Sequence, residues 1–136
     1  MNKIESWFNL KSDLGLLAIR LFIGFRIVYG VFDNIISWNK MIEFSDFLKA
    51  NSFPVPTFCA ILSVYAQFFC SILISIGYKT RFAAFILMFN FIVAIVMVHS
   101  NDSIEIMTPA LAMLFINLGL MITGAGKWSF DKLKFE

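Results

Sequence analysis

Four uninterrupted apolar stretches constrain this sequence more than any other feature. They occupy residues 14–32, 54–76, 82–98 and 107–123. Each is close to the ~20 residues that an α-helix needs to cross the hydrocarbon core of a bilayer. The chain is 60% hydrophobic and 15% charged, whereas an ordinary soluble domain is roughly 45–50% apolar and 25% charged. We therefore predict an all-α integral membrane protein, a four-helix bundle in a single domain over residues 1–136.

Short polar segments separate the apolar stretches, so successive helices are expected to run antiparallel. "GYKTR" (77–81) lies between the second and third stretches, and "HSNDSIE" (99–105) lies between the third and fourth. Pro54 and Pro56 open the second stretch. Pro109 is expected in the first turn of the fourth helix, where its missing N–H costs little.

The positions of the lysines and arginines predict the orientation in the membrane. One side would hold Lys3, Lys11, Lys79, Arg81, Lys127, Lys132 and Lys134, and the other would hold Lys40 and Lys49. The positive-inside rule therefore places both termini in the cytoplasm, and we expect a bacterial cytoplasmic membrane. Residues 33–53, on the outer side, have apolar side chains at near-helical spacing. This spacing fits a short helix lying on the outer surface and equally a short packed loop.

The glycine motif "GAGKWSFD" (124–131) follows the fourth stretch. It lacks the four residues that a phosphate-binding loop places between its glycines before Gly-Lys-Ser/Thr. We interpret it as the exit from the membrane, where glycines end the helix by adopting left-handed backbone. Lys127 then faces the headgroups, Trp128 lies at the interface and Ser129 caps a short tail helix.

Each stretch contributes one strongly polar residue at a similar depth. They are Arg20, Gln67, Asn90 and Asn117, about 9–14 Å from the cytoplasmic end at ~1.5 Å per helical residue. Polar side chains in membrane helices usually face other helices, so we predict one polar cluster. It serves either helix packing or a ligand or proton site. Arg20 favours the second reading because ionisable residues within spans are often functional, although its side chain is long enough to reach the headgroups.

Arg26 lies near the membrane midplane, about 120° around the helix from Arg20. An unpaired arginine at this depth costs at least ~2.5–3.5 kcal/mol, so a partner is expected. The candidates are the outer carboxylates of Asp33, Asp102 and Glu105, an anionic ligand, a quinone carbonyl, a lipid phosphate or another subunit.

Other chemistry is sparse in the sequence. His99 ends the third stretch and shares a face with Asp102 if the helix continues; it is a polar terminus or a proton-exchange or metal-binding group. No metal site is assigned and no residue is given a catalytic role. The net charge is only +2, without a basic block, so nucleic acid is not expected as a partner. No cysteine pair or haem-ligand pair is present, so no cofactor is expected to be built in.

Several motifs resemble the DoxX family of four-span membrane proteins. "AIRLFIGFRIVYG" (18–30) resembles its first span, and Glu105 stands where an acidic residue often opens the fourth span. The 77–81 turn and the 124–131 exit carry the family-motif residues Gly77, Thr80, Arg81, Gly124, Gly126, Lys127, Trp128, Ser129 and Asp131. The chain departs from the family at Gln67, where a glutamate is frequent, at Tyr29, where a histidine is usual, and at Asp33, where a lysine often follows the first span.

The family is linked with quinone-coupled oxidation of sulfur compounds or thiols. The resemblance therefore implies a small membrane subunit of a redox assembly that holds a quinone or a partner in the bilayer, at most an accessory to a quinone-linked oxidoreductase. The expected partners are the lipid bilayer and either a redox protein or further copies of the chain. The alternatives are a small-solute transporter and a purely structural accessory protein.

Overall fold

The computed structural model describes residues 2–135, which form six helices. These are α1 (Lys3–Ile36), α2 (Trp38–Ala50), α3 (Pro56–Ile76), α4 (Thr80–Met97), α5 (Ile104–Thr123) and α6 (Phe130–Phe135). Within the described residues, α1, α3, α4 and α5 are long and apolar enough to cross a membrane. The prediction of an all-α integral membrane protein with four spans is therefore confirmed.

Each of the first three long helices packs on the span that follows it in the chain. α1 packs on α3, α3 on α4, and α4 on α5, while α2 covers α1 and α3. Small side chains permit close approach: Ala83 and Ala84 of α4 are fully buried. Gly24 of α1 lies so near α3 that a Cβ there would come within 1.6 Å of the Ser75 hydroxyl oxygen. Buried residues of all four spans share one core, and the side of α1 that faces away from this core stays exposed.

The segment between the first two spans is a helix and not a packed loop. Ser37 caps α2, its hydroxyl accepting a hydrogen bond from the Lys40 N–H. Met41, Ser45 and Leu48 form the buried face of α2. The Ser45 hydroxyl lies 2.9 Å from that of Thr57 at the start of α3, which ties α2 to the second span.

Two helix starts differ from the sequence prediction. α1 begins at Lys3, ahead of its apolar stretch, and the Glu5 carboxylate accepts a hydrogen bond from the Asn2 N–H at its start. α5 begins at Ile104, so Pro109 lies inside the helix and not in its first turn as predicted. The reason is that Glu105 belongs to the helix, where a carboxylate in the first turn is favoured by the helix dipole.

Both ends of the chain lie at the same end of the bundle. The Lys127 N–H, just after α5, donates to the Asp13 carboxylate, near the start of the part of α1 that can span the membrane. Gly124 ends α5 as predicted, and Gly124 and Gly126 have positive φ values of 78° and 83°. With ψ at −166°, Gly124 is extended and not left-handed helical. The Ser129 hydroxyl accepts from the Lys132 N–H in the first turn of α6, as its predicted capping role requires. The cytoplasmic orientation of this end stays a prediction.

Candidate functional site

Arg20 is buried at this end of the bundle, and among the residues that the structure describes its hydrogen-bond partners are all backbone carbonyls. Its side chain is 1% exposed. Nε donates to the Ile74 carbonyl at 2.9 Å and Nη2 to that of Ser75 at 3.0 Å. Nη1 donates to the carbonyls of Ala125 and Trp128, both at 2.9 Å. The carbonyls of a helix's last turn have no partner within the helix, so Arg20 satisfies the end of α3 and fixes the exit segment beside it.

The single polar cluster predicted from the sequence does not form. Among the described residues, no hydrogen bond joins Arg20 to Gln67, Asn90 or Asn117. Arg20 is drawn to the carbonyls at the end of α3, because helical side chains lean towards the helix N-terminus. Asn117 donates to the Met113 carbonyl of its own helix, and its buried Oδ1 atom has no partner within residues 2–135. The polar groups thus face the interior in separate sets.

Gln67 and Asn90 are connected through a residue that the sequence reading missed. The Gln67 amide donates to the Ser63 hydroxyl at 3.0 Å, and that hydroxyl donates to Asn90 Oδ1 at 2.7 Å. Ser71 and Ser75 continue the stripe, each donating to the carbonyl four residues earlier. These polar residues of α3 recur every four positions in the sequence, and that spacing could have identified Ser63. The hydrogen bond from Ser63 to Asn90 joins α3 to α4, so this stripe contributes to helix packing.

Arg26 lies on the exposed side of α1. It makes no hydrogen bond or ion pair with any residue that the structure describes. The suggested pairing with Asp33, or with Asp102 and Glu105, is therefore not formed, and α1 does not pack closely on α5, which carries Glu105. Gly30 makes room for the guanidinium: a Cβ there would lie 3.3 Å from Arg26 Nη1. In a bilayer, this cation is turned towards lipid at the middle of a span.

A groove lies between α1 and α3, and Arg26 is not among the residues that line it. Its volume is about 530 Å³, and its walls include Phe25, Tyr29 and Phe32. The rings of Phe25 and Tyr29 are stacked, with their centroids 6.1 Å apart. Asp33 and Ser75 add polar groups to an otherwise apolar lining. We call the exposed side of α1 that carries Phe22, Phe25, Arg26, Tyr29 and Asp33 the α1 outer face.

Of the four candidates predicted on the outer side, His99 and Asp102 lie in contact, while Asp33 and Glu105 lie apart. His99 Nδ1 lies 2.8 Å from an Asp102 carboxylate oxygen. α4 ends at Met97, so a turn and not a continued helix brings the two side chains together. Glu105 is exposed in the first turn of α5, and Asp33 is exposed near the end of α1. Within the described residues, no three His, Cys, Asp or Glu side chains are grouped for a metal.

The two motifs of the 77–81 turn and the 124–131 exit form one unit. The Asp131 carboxylate accepts from the N–H groups of Lys79 at 2.7 Å and Thr80 at 3.1 Å. The Asp131 N–H donates to the Gly77 carbonyl at 2.8 Å. The Arg81 guanidinium lies against Gly124, where a Cβ would be 3.2 Å from Nε. Asp131 therefore caps the start of α4 and closes the exit segment onto the turn.

The fold and these contacts define a four-span membrane protein whose turn, exit and Arg20 form one structural unit. A model of the DoxX family matches residues 15–100, well over half of the chain. The chain therefore belongs to the DoxX family, as its motifs indicated. The match ends before α5, so the exit motif lies outside it. The comparisons with curated proteins and with solved structures found no match.

Proposed function

We propose that this protein is a small membrane subunit of a redox assembly and that its α1 outer face holds a quinone or a partner protein within the bilayer. The observation that supports this most strongly is Arg26, a cation exposed in a span without a partner in the described residues. Leaving it in lipid costs at least ~2.5–3.5 kcal/mol. A ligand or subunit that accepts its hydrogen bonds removes this cost.

The groove between α1 and α3 suits a flat ring with carbonyl oxygens. Its volume of about 530 Å³ is within the roughly 300–1,000 Å³ typical of ligand sites. Phe25 and Tyr29 offer aromatic faces on which a ring can stack. Arg26 does not line this groove, but it follows Phe25 on the exposed side of α1 and would donate to a carbonyl oxygen that projects from the groove. The family's link with quinone-coupled oxidation favours a quinone over other apolar ligands.

The protein's part in such an assembly is to bind and position. The two cysteines, Cys59 and Cys70, form no redox pair, and the sequence has a single histidine. Electrons would therefore pass through a cofactor carried by another chain. A carboxylate on that chain is an alternative acceptor for Arg26. Another copy of this chain is a further candidate for the same face.

Replacing Arg26 with glutamine tests this proposal. The protein is purified gently from native membranes, and mass spectrometry measures its quinone and its bound proteins. We expect Arg26→Gln to lower the retained quinone or partner about 10- to 100-fold, since a hydrogen bond from a charged group contributes roughly 1.5–3 kcal/mol. The thermal unfolding temperature should stay constant or rise.

Phe115→Gln is the matched control, because Phe115 is 63% exposed on α5, away from the α1 outer face. It places the same side chain in a lipid-facing position and should leave retention unchanged. Equal retention in the wild type and Arg26→Gln would refute the proposal. A wild type that carries neither quinone nor partner would favour the purely structural alternative.

We also propose that the end of the bundle formed by Asp13 and Lys127 faces the cytoplasm of a bacterial cell. The bias of lysines and arginines towards this end supports it. A cysteine introduced at Lys127 should react with a membrane-impermeant maleimide only after the cells are opened. Labelling of intact cells at Lys127, with protection at Lys49, would show the opposite orientation.

A further inference from the structure

A basic pocket of about 730 Å³ lies where α4 begins and α5 ends. Its lining includes the side chains of four cationic and two acidic residues. These are Lys79, Arg81, Lys127, Lys132, Asp13 and Asp131. Four positive charges against two negative ones leave a net charge of +2 around the pocket. It is separate from the α1 outer face.

The two carboxylates serve the backbone and leave Arg81 unpaired. Asp131 accepts hydrogen bonds from the N–H groups of Lys79 and Thr80, and Asp13 accepts one from that of Lys127. Within residues 2–135, the Arg81 guanidinium has no hydrogen bond and no ion pair. Gly124, without a side chain, lets this guanidinium lie close to the exit segment. The pocket therefore contains an exposed planar cation that has no anionic partner among the described residues.

Thr80 gives an independent indication of a missing polar partner. It lines the same pocket and is 1% exposed. Its buried hydroxyl oxygen has no hydrogen-bond partner among the described residues. Buried hydroxyls are normally paired, because leaving one unpaired loses the hydrogen bonds that water supplied. A bound oxyanion or the water around it would supply that partner.

We propose that this pocket binds a phosphate group, supplied by the headgroup of an anionic lipid. Arg81 matches phosphate oxygens with its fork of donors, and Lys79 and Lys127 add positive charge. The start of α4 is already capped by Asp131, so the phosphate is held by side chains and not by a glycine-rich loop. A lipid is favoured because the pocket lies at the ends of two spans, where headgroups are found. Trp128, which stands in the sequence between two lining residues, has an exposed ring, as is typical of the membrane interface.

Native mass spectrometry of the full chain tests the site. The protein is released from nanodiscs of phosphatidylcholine alone or of phosphatidylcholine mixed with phosphatidylglycerol. We expect the wild type to retain phosphatidylglycerol selectively and Arg81→Gln to retain about tenfold less. Lys49→Gln, which removes an exposed cation from α2 at the other end of the bundle, is the control and should behave as the wild type.

A second arm adds inorganic phosphate to the phosphatidylcholine nanodiscs. Phosphate binding that depends on Arg81, without retention of phosphatidylglycerol, would support the phosphate site and identify a free anion as its source. If Arg81→Gln unfolds at a lower temperature in phosphatidylcholine, Lys127→Gln supplies the same comparison with the Arg81 contacts intact. Retention that is equal in the wild type and both variants, with no phosphate binding, would overturn the proposal.

Discussion

Replacing Arg20 with leucine is expected to lower the free energy of unfolding by about 3–5 kcal/mol, as when a buried charge network loses one partner. The substitution removes the guanidinium donors from the carbonyls of Ile74, Ser75, Ala125 and Trp128. The Ile74 carbonyl keeps one donor, the Gly77 N–H. Each hydrogen bond from a charged group contributes roughly 1.5–3 kcal/mol, but bonds that share one side chain are not additive. The end of α3 and the exit segment should then separate.

Unfolding in detergent, followed by circular dichroism, measures this loss. Arg26→Leu is the matched control, because it is the same change six residues along the same helix, at an exposed site without partners in the described residues. It should be neutral or stabilising in the isolated protein. Arg20→Lys should recover only part of the loss, since an ammonium lacks the planar fork that reaches several carbonyls. Equal stability of Arg20→Leu and Arg26→Leu would contradict the role assigned to Arg20.

Gly77→Ala is expected to destabilise the protein by about 2–5 kcal/mol, from a left-handed backbone cost of roughly 1–2 kcal/mol and overpacking of roughly 1–3 kcal/mol. Gly77 ends α3 with φ at 76°. A Cβ there would lie 2.5 Å from Ser129 Cβ and 2.8 Å from Arg20 Nη2. The methyl group would therefore push the exit segment away from the Arg20 guanidinium.

Two further variants separate backbone strain from the clash at Gly77. Asparagine tolerates left-handed backbone but carries a Cβ, so Gly77→Asn should be about as destabilising as Gly77→Ala if the clash dominates. Gly119→Ala is the control: nothing lies within 4 Å of a Cβ at Gly119, inside α5. It should be neutral or stabilising by up to ~1 kcal/mol. A stability of Gly77→Ala equal to that of Gly119→Ala would show that the exit does not press on Gly77.

The spans and most of their boundaries could be predicted from the sequence, because they follow from the length of the apolar stretches and from the glycines, prolines and polar residues between them. Gly124 ended α5 as expected, since glycine adopts positive φ without the steric cost that other residues incur. The nature of the 33–53 segment was left open, because amphipathic spacing fits both a surface helix and a packed loop. Pro109 was misplaced because the acidic Glu105 resembled loop sequence although it lies in the first turn of α5.

The polar residues were harder to interpret. The sequence identified Arg20 but not its partners, which are backbone carbonyls 54 and 105 positions away for Ile74 and Ala125. Every residue has such a carbonyl, so composition and spacing cannot single these out. Equal depth suggested a shared layer, yet depth says nothing about which way each side chain leans. For Arg26, the sequence indicated that a partner was needed, and the structure shows that the described residues do not provide it.

Photocrosslinking in native membranes tests most directly whether the α1 outer face is a binding surface. Benzoylphenylalanine would replace Phe22, one turn before Arg26, or Phe115 on α5; these phenylalanines are 62% and 63% exposed. We expect Phe22 to give adducts with a quinone or with another protein, lost in Arg26→Gln, and Phe115 to give adducts with lipid. Lipid adducts alone at both positions would contradict the account.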